Sequence, residues 1–352
     1  MKIVVAMSGG VDSSVVAGLM HEAGHEVTGI TLQLYDPGAA SGRKGACCAG
    51  QDIYDAKRVA DRLGIAHYVI DAEARFRSSV ISAFADSYAS GQTPVPCIAC
   101  NQSLKFGDLL EMARDLGADA LATGHYVRRI DGAAGPEMHQ AVDAARDQSW
   151  FLFATTRQQL EFCRFPLGDM QNKAQVRDTA ARMGLSIAQK PDSQDICFVP
   201  SGSYAEIVGK FRPDALESGD IVTESGDVLG THNGIARYTV GQAKRLGPAA
   251  QQNGESLVVK KIEPATRRII IGLRQPAGNT VRLRDVNWLI DRPAGAITAR
   301  VKLRARDTPR PVRISPEAAG ALLTLDDPAT AAPGQAAVFY DGSRILGGGF
   351  IL

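Results

Sequence analysis

An apolar run, Ile3 to Ala6, ends in Met7-Ser8-Gly9-Gly10-Val11-Asp12-Ser13-Ser14 and passes directly into a segment with helical spacing. A β-branched strand that breaks into two glycines and restarts as a helix leaves successive backbone N–H groups unpaired at a helix N-terminus, where the macrodipole favours an anion. Gly9 and Gly10 let the backbone approach a phosphate, and the hydroxyls of Ser8, Ser13 and Ser14 add donors. The segment therefore predicts a phosphate cradle; a plain serine-capped strand-to-helix turn is the alternative. The lysine of a G-x-x-x-x-G-K-[ST] loop and the G-x-G-x-x-G spacing are both missing, which excludes the common NTPase and dinucleotide designs.

The next hundred or so residues repeat the opening pattern. EVTGITLQL reads as a strand, DIYDAKRVADRLG as a helix, HYVID as a strand, then two long helical segments lead to ADALATGH. Such alternation implies βαβ crossovers and a parallel sheet whose ligands sit beyond the carboxyl ends of the strands. AMSGGVDSS, the Gly-rich YDPGAASGRKGACCAG and ATGHY all fall at those ends. After Trp150 the texture changes: QVRDTAARMGL is helical, PDSQDICFVPSGSYAEIVGKF mixes a loop with a helix, and GDIVTESGDVLGTHNG is a hairpin. From Gly241 onward, short Val, Ile and Arg-rich runs suggest a small antiparallel barrel. The expected fold is α/β: a parallel-sheet catalytic domain over 1–165, a small central α+β domain over 166–240, and a C-terminal β-barrel over 241–352.

At 352 residues the chain suits two or three domains, and its 45% hydrophobic and 22% charged content argues against disorder. No apolar run is long enough to span a bilayer and the N-terminus turns Gly-rich before any signal-peptide core forms, so a cytoplasmic location is expected. A formal charge of +1 gives no overall field for polyanions. Any nucleic-acid surface must be local, and the stretch from Arg282 to Arg313, with nine basic against three acidic side chains, is the candidate. Solvated outward strand positions explain the same run equally well.

Six cysteines are too few for a disulfide scaffold in so long a chain. Cys97 and Cys100 form a CxxC just ahead of a helical segment, Cys197 comes much later in PDSQDICFV, and Cys163 between aromatics reads as a small hydrophobe. Cys47 and Cys48 lie in the Gly-rich loop, where a zinc site with Cys97 and Cys100 would need four convergent thiols.

The SGG-x-DS loop resembles the PP-loop of ATP pyrophosphatases, which split ATP between its α and β phosphates; that resemblance gives Asp12 the role of holding Mg2+ near the departing pyrophosphate. With TPxPCxxCN at 93–101, ATGHY at 122–126, RDQSWFL at 146–152, DSQDICF at 192–198, GTHNGIARYTVGQ at 230–242 and the ending PGQAAVFYDGSRILGGG, the chain resembles bacterial tRNA-specific 2-thiouridylases of the MnmA type, also called TrmU. The resemblance implies ATP held by Ala6, Met7, Ser8, Gly9, Gly10, Val11, Asp12 and Ser13, with Leu32 and Gly124 near adenine or ribose. It implies a Cys197 persulfide supplied by a sulfur carrier or desulfurase relay, and Cys100 as partner nucleophile. In one route Cys100 attacks the persulfide, freeing sulfide and leaving a Cys100–Cys197 disulfide; in another the persulfide attacks the base directly. Cys97 stands where some members carry Asp, so Cys97, Cys100 and Cys197 could instead hold an iron-sulfur cluster that delivers sulfide.

The same resemblance puts Arg146, Asp147 and Gln148, together with Arg304 and Gln335, beside the anticodon loop of tRNA, whose target uridine must leave its stack to react. For Asp147 a helix-capping role is the competing reading. His125 either contacts phosphate or base or is a satisfied structural histidine. Two other functions stay open: a PP-loop ATP-dependent ligase or amidating enzyme, which would not need Cys100 or Cys197, and an RNA-binding adaptor with an idle loop.

Overall fold

The computed structural model describes residues 1–34, 48–192, 196–199, 204–244, 246–247, 251–252, 255–274 and 278–352. Cys47 and most of the Gly-rich loop, and residues 193–195 of DSQDICF, lie outside them.

Five parallel strands form the first sheet in the order β3-β2-β1-β4-β7: β1 Lys2–Ala6, β2 Glu26–Gln33, β3 Ala66–Asp71, β4 Ala120–Ala122 and β7 Cys163–Arg164. β1 lies between β2 and β4, with Val5 and Leu121 fully buried, so a β-branched run in the middle of the sheet is apolar on both faces. Helix α1, Val11–Glu22, succeeds β1, and α2 spans Cys48–Leu63. α3, Pro96–Cys100, opens with proline at its first position and runs into wide π-type turns over Asn101–Asp108 before α4, Leu109–Asp115.

The expected boundary at 165 is corrected by packing. Helix α5, Lys173–Arg182, shares one apolar cluster with α1, in which Val176, Ala180 and Leu185 meet Val15, Val16 and Ala17. Residues beyond 166 thus complete the first domain, because α1 would otherwise expose its buried stripe.

The boundary at 240 is corrected too. β8 Gly219–Thr223, β9 Val228–His232, β10 Gln251–Gln252, β11 Glu255–Glu263 and β12 Arg268–Leu273 make one sheet, ordered β10-β11-β12-β8-β9. β12 pairs parallel with β8 from Ile269↔Ile221 to Ile271↔Thr223, so a cut at 240 would divide a hydrogen-bonded ladder. The runs SLVVKKIEP and RRIIIGL therefore belong to the central domain. Their short alternation is the same as that of barrel strands, and only pairing tells the two apart.

The barrel itself has six antiparallel strands: β13 Gly278–Trp288, β14 Ile297–Lys302, β15 Arg310–Glu317, β16 Gly320–Ala329, β17 Ala336–Asp341 and β18 Arg344–Ile351. Pairing of β13 with β18 closes it. Inward residues such as Val301, Ile314, Leu323 and Phe339 fill the interior, so this is a packed core rather than a channel. A hairpin of the first domain, β5 Val127–Gly132 and β6 Gly135–Gln140, adds to the barrel edge through Arg344↔His139. Among the described residues no helix is long and apolar enough to cross a membrane.

Candidate active site

The loop after β1 takes its shape from backbone sterics. Gly9 has φ +74°, and a Cβ there would stand 2.0 Å from the carbonyl oxygen of Asp52 in α2. Gly10 caps α1 with no side-chain hydrogen bond, which leaves the first-turn amides open to a ligand. Ser13 Oγ accepts from Ser8 N at 3.1 Å and so closes the loop on itself. A Cβ on Gly124 would come within 3.0 Å of Ser13 N, so the chain after β4 approaches the loop as closely as backbone allows.

Two adjoining cavities open at the carboxyl ends of the strands. The first, about 240 Å³, is lined by Ala6, Met7, Ser8, Asp12, Ser13, Leu32 and Gly124 together with Cys100, Lys105 and His125. The second, about 380 Å³, takes in Gly10, Val11, Tyr126, Arg146, Lys190, Asp192 and Cys197. Ser8, Asp12, Leu32, Leu34 and Gln148 line both. The nucleotide loop is thus the common wall, with Cys100 on one side and Cys197 on the other.

The thiols share one electrostatic neighbourhood. Cys97 and Cys197 reach solvent and Cys100 is buried, and all three are free. Burial pushes each thiol up, Cys197 to about 12, with Cys100 and Cys97 raising it further and Lys105 pulling it down. Phe198 and Val199, just after Cys197, are buried in the same apolar cluster as Cys100, Leu104 and Phe84, which draws the distant segment to this wall. Cys163 is fully buried in β7 as a small hydrophobe.

Asp12 is the anionic hub. Lys173 Nζ reaches both of its carboxylate oxygens at 2.7 Å, and the Tyr126 hydroxyl donates at 2.6 Å. Lys173 also pairs with Asp192 at 2.8 Å, and Asp192 with Arg146 at 2.6 Å. Lys190 bonds Asp52 and Asp55, both at 2.6 Å, and the Gly9 carbonyl at 3.0 Å, which fastens the loop to α2. The sequence reading missed Lys105, Tyr126, Lys173, Lys190 and Asp192. One signal was present: Lys173 is the first residue of α5, where a helix disfavours a cation unless an acid elsewhere claims it.

Mg2+ asks for one or two carboxylates plus phosphate oxygens, and Asp12, open to both cavities, suits that demand once Lys173 yields. An iron-sulfur cluster on Cys97, Cys100 and Cys197 is not shown. Among the described residues no three His, Cys, Asp or Glu side chains converge on a metal position.

Of the residues expected at tRNA, Arg146 and Gln148 line the second cavity, His125 the first, and Arg304 is exposed on the barrel side. Asp147 is corrected: its side chain is 3% exposed and accepts from Ala141 N, Ser149 N, Ser149 Oγ and Gln140, so it is an internal bracket whose carboxylate has no free edge. Gln335 is half-buried and makes an internal contact. Its amide donates to the Thr93 carbonyl at 2.9 Å, while Thr93 N donates to the Pro333 carbonyl, so the barrel's 333–335 turn clamps the segment leading into Cys97.

Residues 1–201 match the family described as tRNA methyl transferase HUP domain, 206–273 the tRNA methyl transferase PRC-barrel domain, and 279–351 the Aminomethyltransferase beta-barrel domain. These limits enclose the parallel sheet, the central sheet and the six barrel strands, the last but for its first residue. The chain is 69% identical to the tRNA-specific 2-thiouridylase MnmA of Acidiphilium cryptum, over 100% of both chains. It is 61% identical to that of Gluconobacter oxydans, over 100% of this chain and 99% of the other. A solved 4-thiouridine synthetase–RNA complex with bound ATP aligns at TM-score 0.35 and 16% identity, over 60% of this chain and 50% of that one, too remote to carry chemistry. With relatives of one name matching it from end to end, the chain belongs to the MnmA family of tRNA-specific 2-thiouridylases.

Proposed function

We propose that the protein exchanges the C2 oxygen of the wobble uridine of tRNA for sulfur at the cost of ATP. One observation carries the reading: Cys100 shares a cavity with Ser8, Asp12, Ser13 and Gly124, and Cys197 opens on the cavity that adjoins it across that loop.

The uracil oxygen is a poor leaving group, so it is first made a good one. O2 attacks the α phosphorus of ATP, the α–β bond breaks, and pyrophosphate leaves with the electron pair. The open amides of α1 and the Ser8 and Ser13 hydroxyls hold the phosphates, and Asp12 would hold Mg2+, which would supply charge neutralisation for the departing pyrophosphate. Lys173 and Lys190 stand ready to balance the same charge.

Sulfur arrives as a persulfide on Cys197 from an external sulfane-sulfur donor. Its terminal sulfur gives its proton to water and attacks C2, and AMP departs. The Cys100 thiolate then attacks Cys197 Sγ. The new S–S bond joins the two cysteines, and the pair of the broken bond goes to the sulfur on C2 as the thiocarbonyl. A dithiol reductant resets the disulfide. The alternative order, in which Cys100 first releases sulfide from the persulfide, uses the same two sulfurs. A free pair of this kind needs a reducing compartment, which with the tRNA substrate puts the work in the cytoplasm.

The experiment is thiolation of tRNA by anaerobically purified protein with ATP and a persulfide donor, read as replacement of oxygen by sulfur in the mass of the wobble nucleoside, with iron measured in parallel. The expected result is ATP-dependent sulfur incorporation that ends with Cys100→Ser or Cys197→Ser. Retained activity in both variants sinks the relay. Iron that co-purifies and disappears with activity in Cys97→Ala would favour a cluster instead.

A further inference from the structure

Lys105 occupies the π-type turns that begin immediately after Cys100. Such turns widen the helix and re-aim the side chains they carry. Here the lysine is turned into the wall of the first cavity, between Cys100 and the segment Thr123–His125. Among the described residues no carboxylate pairs with it; its one polar partner there is His125, with Nζ 3.5 Å from Nε2.

That histidine is neutral. Burial first and the Lys105 charge second hold its imidazole well below the usual value, so it cannot compete with the lysine as a cation. Thr123 Oγ1 lies 2.9 Å from Nδ1, and with the ammonium donating to Nε2 the ring proton sits on Nδ1. His125 is then an acceptor that aims the ammonium, and its ring is backed by Phe106 at 5.7 Å.

We infer that Lys105 is a further catalytic residue, the cation that stabilises the anionic sulfur of Cys100 and of the Cys197 persulfide during transfer, with His125 as its positioning residue. The inference rests on the sulfur-relay reading of this cavity. Beside Lys105 the thiols are faced by Cys97, by the neutral His125 and by groups already paired: Asp12 holds Lys173, which also binds Asp192, while at the second cavity Arg146 is bound to Asp192 and Lys190 to Asp52 and Asp55. Lys105 is the charge that lowers all three thiols against the burial that raises them. It accepts and releases no proton in the step: the proton of the Cys197 persulfide goes to water in the second cavity and that of Cys100 to water in the first.

The test compares wild type with Lys105→Met, Lys105→Gln and Lys105→Arg by the rate of iodoacetamide alkylation at Cys100 and Cys197, resolved by peptide mass from pH 7 to 10, alongside ATP affinity. Each unit by which a thiol rises lowers its thiolate fraction, and so its rate at fixed pH, about tenfold. The expected result at pH 8 is a three- to tenfold slowing in the Met and Gln variants, near-recovery in the Arg variant, and unchanged ATP affinity. His125→Leu should slow alkylation by less. Profiles that do not move in either neutral variant overturn the inference, and so does a loss confined to ATP affinity, which would make Lys105 a phosphate ligand. Because alkylation needs no tRNA, a wild type that transfers no sulfur but keeps the Lys105 effect would count against the relay alone.

Discussion

The nucleotide loop and the sulfur site share a wall yet are built in different ways. Residues 6–13 form a short continuous stretch whose function resides in backbone amides and whose shape depends on Gly9 at φ +74°. The thiols come from α3 and from residues 196–199, and a turn of the barrel at 333–335 clamps the segment leading into α3 through Thr93. A local device depends on sterics at one or two positions. An assembled one depends on every segment that aims a side chain, so its weak points lie far along the chain.

The largest effect expected from this contrast is chemical. Cys100→Ser or Cys197→Ser should lower the rate of thiolation on the order of 10³-fold or more, since a covalent nucleophile is removed, while ATP affinity stays within about twofold. Equal losses of ATP binding in those variants would merge the two regions into one. Gly9→Ala comes next. Its Cβ would meet the Asp52 carbonyl oxygen at 2.0 Å in a left-handed conformation. A cost of about 2 kcal/mol in stability is expected, with a clear fall in ATP affinity measured by calorimetry and no change in the alkylation profile of Cys100.

Smaller effects test the charges between the regions. Burial raises the Asp192 carboxyl, but the hydrogen bonds and charges of Lys173 and Arg146 outweigh it and hold it below the usual carboxylate value. A depressed folded value contributes stability above the unfolded pKa of about 3.9 that is lost as pH falls through the folded one. Arg146→Ala should therefore lower the urea midpoint at pH 7 by the equivalent of about 1 kcal/mol, discounted for the 40% exposure of Arg146, and the gap should be smaller at about pH 3, where pH has fallen below the unfolded carboxylate value. A gap of equal size at both pH values would assign the loss to packing. Gln335→Ala, last, removes one hydrogen bond to Thr93 and should cost under about 1 kcal/mol. The assembled-site view requires that it slow sulfur transfer while leaving ATP affinity untouched.

Legibility in the sequence divides along the same line. The strand, the two glycines and the helix after Ala6 are neighbours in sequence, so their geometry was legible there, as was the parallel sheet from its βα alternation. Asp147 was misread because a motif names a residue but not which way its side chain turns. Asp147 points inward to backbone and side-chain donors, and the half-buried Gln335 donates its amide to Thr93. The cut at 240 failed because β8 and β12, which pair in parallel, look no different in sequence from barrel strands.

By itself the sequence determined the family, the nucleotide loop and the two candidate sulfurs, because sterics and motif spacing act within a few residues. Tertiary structure alone decided that Cys100 and Cys197 open on either side of one wall, that Lys173 and Lys190 brace the loop around Asp12 and Gly9, and that Lys105 lines the cavity of Cys100 beside His125. The physical reason is that burial and Coulomb interactions depend on distance in space, which a linear order of residues does not contain.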